Sequence, residues 1–149
     1  GAPLDAKEVD GAGSGEFSVC PGIYQKYAEK IFEVRVTVVR DRCFAARIES
    51  QDSERTRIDW RRYDGGIAPH ALYDLPESDA ARCVDLTRGL GLEFSAIDLI
   101  MSPEGLIFRE LNPNGQWAWI QAMLEHPISG AVADALLLAD ETWGEAVLR

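Results

Sequence analysis

The sequence predicts an α+β fold, with a largely antiparallel sheet flanked by helices. Segments rich in β-branched and aromatic residues fill much of the first half, one helical segment interrupts them, and two helical segments follow. Strands that are followed by helices, rather than alternating with them, favour antiparallel pairing. At 149 residues with 46% hydrophobic side chains, the chain is long enough to enclose one core.

The strands are predicted from β-branched residues and turn signals. Residues 31–39 form the strongest strand, and residues 40–42 make a tight connection to a second strand at 43–48. Residues 58–63 and 67–73 are predicted as two further short strands on either side of a glycine pair.

The helices follow from start signals and spacing. Pro76 begins a helix that runs to about Leu90, with acidic residues in its first turn and with Gly89 and Gly91 as the signals that stop it. Residues 116–125 are predicted to be helical, and residues 127–138 form a second helix with apolar side chains every three to four positions.

Two strands at 94–101 and 106–111 flank a turn-rich stretch and predict a hairpin. If they pair about Glu104, Asp98 lies opposite Glu110, about 5 Å away. Since a slip of one residue would send Asp98 to the opposite face, the loop is predicted to hold an odd number of residues. The face shared with Asp98 then carries Ile100 and Phe108, and the other face carries Ile97, Leu99, Met101, Ile107 and Leu111.

Glu110 and Asn112 lie two residues apart in a strand, so both side chains project to the same side. Carboxylate and amide oxygens suit Mg²⁺, which completes its shell with phosphate and water. The sequence therefore predicts a metal–nucleotide face. The alternative is a plain hairpin whose acidic side chains end in solvent.

Composition excludes several classes of protein. The net charge of −10 argues against non-specific binding to nucleic acid. No apolar run approaches 18 residues and no signal peptide is visible, which predicts a cytoplasmic protein without membrane contact. The cysteines are three in number and widely spaced, which fits a reducing compartment and gives no zinc pattern.

Residues 1–16 are glycine-rich and are predicted to be a flexible segment, not a phosphate-binding loop, because no strand precedes them. Arg35, Arg47 and Arg61 lie in or beside predicted strands, where an arginine needs an acidic partner or a phosphate. For Arg35, an ion pair with Glu33 on the same strand is the structural alternative.

Several segments together resemble the ATP-grasp superfamily. The strand with Asp98, followed by Glu110-Leu111-Asn112, looks like its paired metal-binding strands, and residues 20–27 look like its adenine-binding hinge. The likeness is greater still to the ligases that cross-link ribosomal peptides, the graspetide or microviridin-type maturases. It rests on Phe44-Ala45-Ala46-Arg47-Ile48, Ser50-Gln51, Asp59-Trp60-Arg61 and Asn112-Pro113-Asn114-Gly115-Gln116-Trp117.

This resemblance implies an ATP-dependent carboxylate ligase that forms ester or amide cross-links in an acidic precursor peptide through an acyl phosphate. The cofactors implied are ATP and Mg²⁺, with two ions. The implied residues are Asp98, Glu110 and Asn112 for metal; Arg35, Arg47 and Arg61 for catalysis; Asp59, Trp60 and Arg61 for the peptide; and Gln25, Lys26, Ala28, Glu29 and Glu33 for the nucleotide.

The chain departs from the family at Lys26, Arg40 and Arg109, none of which is an implied metal ligand, and in length. We expect residues 17–142 to be the C-terminal ATP-grasp lobe and 143–149 a tail, with the N-terminal domain of the same polypeptide as the missing partner. The isolated fragment is expected to be inactive, and a homodimer is a further expectation. Two alternatives stay open: a ligase like the ribosomal-protein glutamyl (RimK-like) ligases or glutathione synthetase, and a non-catalytic nucleotide- or peptide-binding module.

Overall fold

The computed structural model describes residues 28–52 and 68–147, with the backbone alone from residue 139 onward. Within these ranges the elements are β1 (Phe32–Val39), β2 (Arg42–Ile48), β3 (His70–Leu72), α1 (Glu77–Gly89), β4 (Phe94–Ser102), β5 (Gly105–Asn112), α2 (Ala118–Leu124) and α3 (Ile128–Val147). The predicted α+β class is confirmed. The predictions for residues 1–16 and for a strand at 58–63 lie outside the described residues.

The five strands form one antiparallel sheet in the order β3-β2-β1-β4-β5. All eight residues of the central strand β1 are buried. A strand buried on both faces normally reads as a continuous apolar run. In β1, however, Glu33, Arg35 and Thr37 alternate with valines, so one face of the strand is polar and buried at the same time.

The two faces of the sheet pack against different helices. Val34, Val36 and Val38 of β1 belong to an apolar cluster with Cys83 of α1. The opposite cluster joins residues of β2 to Ile120 of α2 and to residues of α3. Since side chains alternate along a strand, the polar residues of β1 face the α2–α3 side. We call this side of the sheet, from Glu33 to Thr37 and across β4 and β5, the polar face.

The β4–β5 hairpin has a two-residue turn instead of the predicted odd loop. Ser102 pairs with Gly105, whose φ of 122° is a backbone conformation that favours glycine. From this turn the register pairs Ile100 with Ile107 and Leu99 with Phe108. The prediction that Ile100 and Phe108 share a face was therefore wrong, because Ile107 and Phe108 exchange sides.

A β-bulge restores the predicted pairing of the acidic residues. The register shifts between Asp98 and Leu99, so Arg109 is an extra residue in β5 and Asp98 lies opposite Glu110. A bulge inserts one residue into one strand and leaves the partner strand unchanged. The pairing of Asp98 with Glu110 is confirmed, although the odd residue is in the strand and not in the loop.

The helices agree with the sequence except at one end. Helix α1 follows Pro76 and carries Glu77 and Asp79 in its first turn, and Gly91 beyond its end has a φ of 72°. Helix α3 runs to Val147, beyond the predicted end at residue 138. Its acidic and polar residues after Leu138 do not stop it, since they carry no glycine–proline signal at that point.

We predict that the fold tolerates deletion of Arg109, because Phe108 still pairs with Leu99 and Glu110 then follows directly opposite Asp98. Leu111 keeps its place against the apolar cluster, and the loss is limited to the ion pair of Arg109 with Glu33. The variant R109A removes the same ion pair and should lose a similar amount. The free energy of unfolding in denaturant measures both variants. A deletion that costs about 2–5 kcal/mol more than R109A, the loss expected when a leucine leaves its cluster, would contradict the assignment of Arg109 as the bulge residue.

Candidate functional site

Two carboxylates face each other across β4 and β5 on the polar face. Asp98 and Glu110 are direct partners in the antiparallel register, and Asp98 is only 5% exposed. Directly opposite side chains in such a ladder have Cβ atoms about 4.5–5.5 Å apart. Two carboxylates at this separation repel each other unless a cation is shared between them.

A buried arginine extends the row of charges to the central strand. Arg35 lies opposite Asp98 in the β1–β4 register, and its Nη1 donates to Asp98 Oδ1 over 2.7 Å. The side chains are 7% and 8% exposed. One cation and two carboxylates therefore lie side by side across three strands, and the guanidinium offsets part of the repulsion between the two acidic residues. The predicted alternative, an Arg35–Glu33 pair, is not the pairing that forms.

Asn112, the third predicted ligand, ends β5 and begins a tight loop. Its side-chain Oδ1 accepts a hydrogen bond from the backbone N–H of Asn114 over 2.9 Å, which is an Asx turn. The side chain is exposed, and it faces the same side of the sheet as Glu110 because the two residues are two positions apart in the strand. The amide oxygen therefore has a lone pair for a further partner, since it has two.

The loop after β5 then folds back over Arg35. Gly115 is buried, and a Cβ there would overlap the Cβ of Ala96 and lie 2.7 Å from Arg35 Nη2. The next residue, Gln116, accepts a hydrogen bond from Arg35 Nη2 at 3.4 Å through its backbone carbonyl. Only a residue without a side chain lets the loop approach this closely.

Glu33 forms a second charged cluster on the polar face. Its Oε1 lies 2.9 Å from Lys30 Nζ and 3.4 Å from Arg109 Nη1, and its side chain is 4% exposed. Burial raises the pKa of the Glu33 carboxyl above its usual 4.5, although the Lys30 ammonium acts in the opposite direction. Glu33 therefore connects β1 to the bulge of β5.

Arg47 does not join these residues. It pairs with Val34, so it projects from the opposite face of the sheet. Its guanidinium carbon lies 3.8 Å from the ring centroid of Phe32, and its Nε forms an ion pair with Glu49. The stacking on an aromatic ring is a packing contact. A catalytic role for Arg47 therefore gains no support from its position.

The remaining predicted residues are only partly described. Ala28 is half-buried and Glu29 is exposed at the start of the described chain. The residues outside the described part of the chain are Gln25, Lys26, Asp59, Trp60 and Arg61. Sequence reasoning gave no role to Lys30, which lies three residues before Glu33 and forms an ion pair with it.

The donor set suits Mg²⁺ better than a metal enclosed by protein alone. Among residues 28–52 and 68–147, no group of three His, Cys, Asp or Glu side chains could hold a metal ion. Two facing carboxylates with one amide oxygen nearby leave most of a coordination shell to other ligands. Mg²⁺ is usually bound in this way, with phosphate oxygens and water completing the octahedron.

Comparison with solved structures finds similar folds in a RiPP-associated ATP-grasp ligase and in two macrocyclases. A RiPP-associated ATP-grasp ligase from Chryseobacterium gregarium, solved with ADP and with a leader and core peptide, is 34% identical over 78% of this chain, with a TM-score of 0.67. This sheet is part of an ATP-grasp fold. The macrocyclase MdnC of Microcystis aeruginosa MRC, solved with precursor peptide MdnA, is 31% identical over 74% of this chain, with a TM-score of 0.59.

A third solved structure matches a larger part of this chain. The macrocyclase MdnB of Microcystis aeruginosa MRC is 30% identical over 88% of this chain, with a TM-score of 0.59. The chain spans 35%, 31% and 46% of the lengths of these three relatives, so it corresponds to a third to a half of each. The predicted resemblance to ATP-grasp ligases that modify ribosomal peptides is confirmed.

Two other comparisons gave no match: no family model fits the sequence, and no curated protein is similar to it. As for membranes, none of the helices in the described part of the chain has the length and apolar character to cross a bilayer. The ATP-grasp assignment therefore rests on the solved structures and on the geometry of the polar face.

We predict that D98L destabilises the chain by about 3–5 kcal/mol, because it leaves the Arg35 guanidinium buried without its carboxylate. The double variant R35M/D98L replaces the pair by apolar side chains of similar volume and should recover most of this loss. Denaturant unfolding of both variants and the wild type measures the difference. If D98L is as stable as R35M/D98L, the buried Arg35 guanidinium does not need Asp98 as its ionic partner.

We predict that ionisation of the buried Glu33 carboxyl lowers the free energy of unfolding as pH rises. Its native pKa lies above the unfolded value, so the native state binds more protons, and the free energy of unfolding falls as pH rises from about 4.5 through the native pKa. The variant E33Q removes this titration and should gain on the wild type over that pH range. The matched control is E104Q, since Glu104 is exposed in the β4–β5 turn. If the stability of E33Q depends on pH in the same way as that of the wild type, burial does not raise the pKa of Glu33.

Proposed function

We propose that this chain is part of an ATP-dependent carboxylate ligase that forms ester or amide cross-links in a ribosomal peptide. The observation that carries the proposal is the row Arg35–Asp98–Glu110, in which a buried cation and two carboxylates align across three strands of an ATP-grasp sheet. The likeness to ligases solved with ADP, with a leader and core peptide, and with a precursor peptide supports the substrate class.

In this proposal Asp98, Glu110 and Asn112 hold Mg²⁺ through carboxylate and amide oxygens. The ion would neutralise phosphate oxygens, which lowers the barrier to bringing one anion onto another. The chain's own part is to present these oxygens from two adjacent strands, so that their spacing is set by the hydrogen-bonded ladder. Strand-borne groups hold such a spacing better than groups on loops.

Arg35 has a separate role in the proposed reaction. An oxygen of the peptide carboxylate attacks the γ-phosphorus of ATP, the bond from that phosphorus to the ADP oxygen breaks, and an acyl phosphate forms. Negative charge is spread over the oxygens of the transferred group in this step, and an arginine can donate to two of them at once. Arg35 lies beside Asp98, with a guanidinium already oriented by two hydrogen bonds.

The second step forms the cross-link. A hydroxyl or amine of the same peptide attacks the acyl carbon, loses its proton, and displaces inorganic phosphate. The product is an ester or an amide, and one water is lost overall per cross-link. The proposed peptide contacts of Asp59, Trp60 and Arg61 rest on the sequence resemblance alone, as does the number of metal ions.

We predict that E110Q weakens binding of Mg·ATP to the chain by at least about 10-fold, because it removes one ligand charge while keeping the side-chain shape. Isothermal titration calorimetry with and without Mg²⁺ measures this. The exposed turn residue Glu104 gives a control in the same hairpin, and E104Q should bind like the wild type.

The same variant tests ligation in the longer protein that contains this chain. With ATP, Mg²⁺ and an acidic precursor peptide, mass spectrometry should detect the loss of one water per cross-link in the wild type and none with E110Q. Unchanged Mg·ATP binding by E110Q would remove Glu110 from the metal site, and cross-linking that continues in E110Q would overturn the proposed mechanism.

A further inference from the structure

The loop that follows β5 touches the proposed catalytic arginine at Nη2, whereas Asp98 is bonded to Nη1. Gly115 packs between Ala96 of β4 and the Arg35 guanidinium, and the Gln116 carbonyl accepts a hydrogen bond from Arg35 Nη2. Arg35 is thus held by a carboxylate from one strand and by a backbone carbonyl from the loop. Its Nε, also buried, has no hydrogen-bond partner among the described residues.

The position of the guanidinium therefore depends on how close the loop lies. A side chain at residue 115 would meet two neighbours of unequal freedom. Ala96 is part of a buried strand and cannot withdraw without disturbing β4, while the end of the arginine side chain can move. Any pressure from residue 115 would accordingly displace the guanidinium from Asp98 or from Gln116.

The same loop is also tied to the proposed metal ligand Asn112. The Asx turn from Asn112 to Asn114 sets the direction in which the chain leaves β5, one residue before Gly115. In this turn the Asn112 side chain itself accepts the backbone hydrogen bond, so the amide and the path of the loop are directly linked. The loop therefore holds the Asn112 amide and the Arg35 guanidinium in one arrangement.

We propose that Gly115 and the Gln116 carbonyl are positioning elements for Arg35 in the reaction proposed above, on which this inference rests. Gly115 provides the space, and the Gln116 carbonyl fixes the plane of the guanidinium. Neither touches the substrate. Their effect on nucleotide binding passes through Arg35, whose donors must point at the phosphate when it arrives.

The test compares four variants of the chain. G115A introduces the Cβ that meets both Ala96 and Arg35. G115A/A96G removes the overlap with Ala96 but keeps the contact with Arg35 Nη2, and A96G alone completes the double-mutant cycle. The control G130A adds a Cβ on helix α3 where no atom lies within 4 Å.

Three measurements are made on each variant: the denaturant midpoint, the Kd for Mg·ATP, and the NMR signal of the Arg35 Nε–H group, assigned with R35K. We expect G115A to lower the denaturant midpoint and to shift the Arg35 signal. We also expect it to weaken Mg·ATP binding about 10-fold, the size of effect that follows the loss of a hydrogen bond to a charged group. In G115A/A96G the midpoint should rise above that of G115A because the overlap with Ala96 is gone, while the weaker binding and the shifted signal remain. G130A should change none of the three.

A purely structural role for Gly115 predicts a different result. In that case G115A/A96G would restore the midpoint, the Kd and the Arg35 signal together, and the inference would be overturned. The NMR signal needs no nucleotide, so it also separates the two proposals. If the longer protein that contains the wild-type chain does not bind Mg·ATP, the proposed function is refuted, while an Arg35 signal unmoved in G115A would refute the positioning role alone.

Discussion

The ion pair between Arg35 and Asp98 is the constraint on which the polar face depends. Both side chains are more than nine-tenths buried. The pair joins the central strand β1 to β4, with 2.7 Å between Arg35 Nη1 and Asp98 Oδ1. A buried charge without a partner is very unfavourable, so each residue requires the other to be in register. The ion pair thereby positions the rest of the polar face. It keeps Asp98 opposite Glu110 of β5, and it keeps Arg35 in contact with the loop at Gly115.

The comparison of sequence and structure shows which features a pattern can predict. Asp98 opposite Glu110 was predictable, because acidic residues in otherwise apolar strands need a reason to be there. The bulge at Arg109 was not, since a single arginine carries no signal for an unpaired backbone position. The predicted pairing of the acidic residues is therefore correct. The register assumed between the turn and these residues is wrong, so Ile107 and Phe108 lie on the faces opposite to those predicted.

Arg47 shows how much depends on one turn residue. A connection of three residues at 40–42, as the sequence suggests, would pair Val39 with Cys43 and bring Arg47 opposite Arg35. The turn has two residues instead, with Arg40 at a φ of 56°, and Val39 pairs with Arg42. Arg47 then lies on the other face. A non-glycine residue in this conformation is uncommon, so the sequence favoured the longer turn.

The separation of Arg35 and Asp98 by 63 residues has a consequence for how the protein folds. The hairpins β1–β2 and β4–β5 each close over a short turn and form from local contacts, whereas the β1–β4 seam must bring together distant parts of the chain. Closing a long loop has an entropic cost before any contact rewards it. Asp98 and Glu110 therefore meet within one local hairpin, whereas Arg35 reaches Asp98 only when the β1–β4 seam closes.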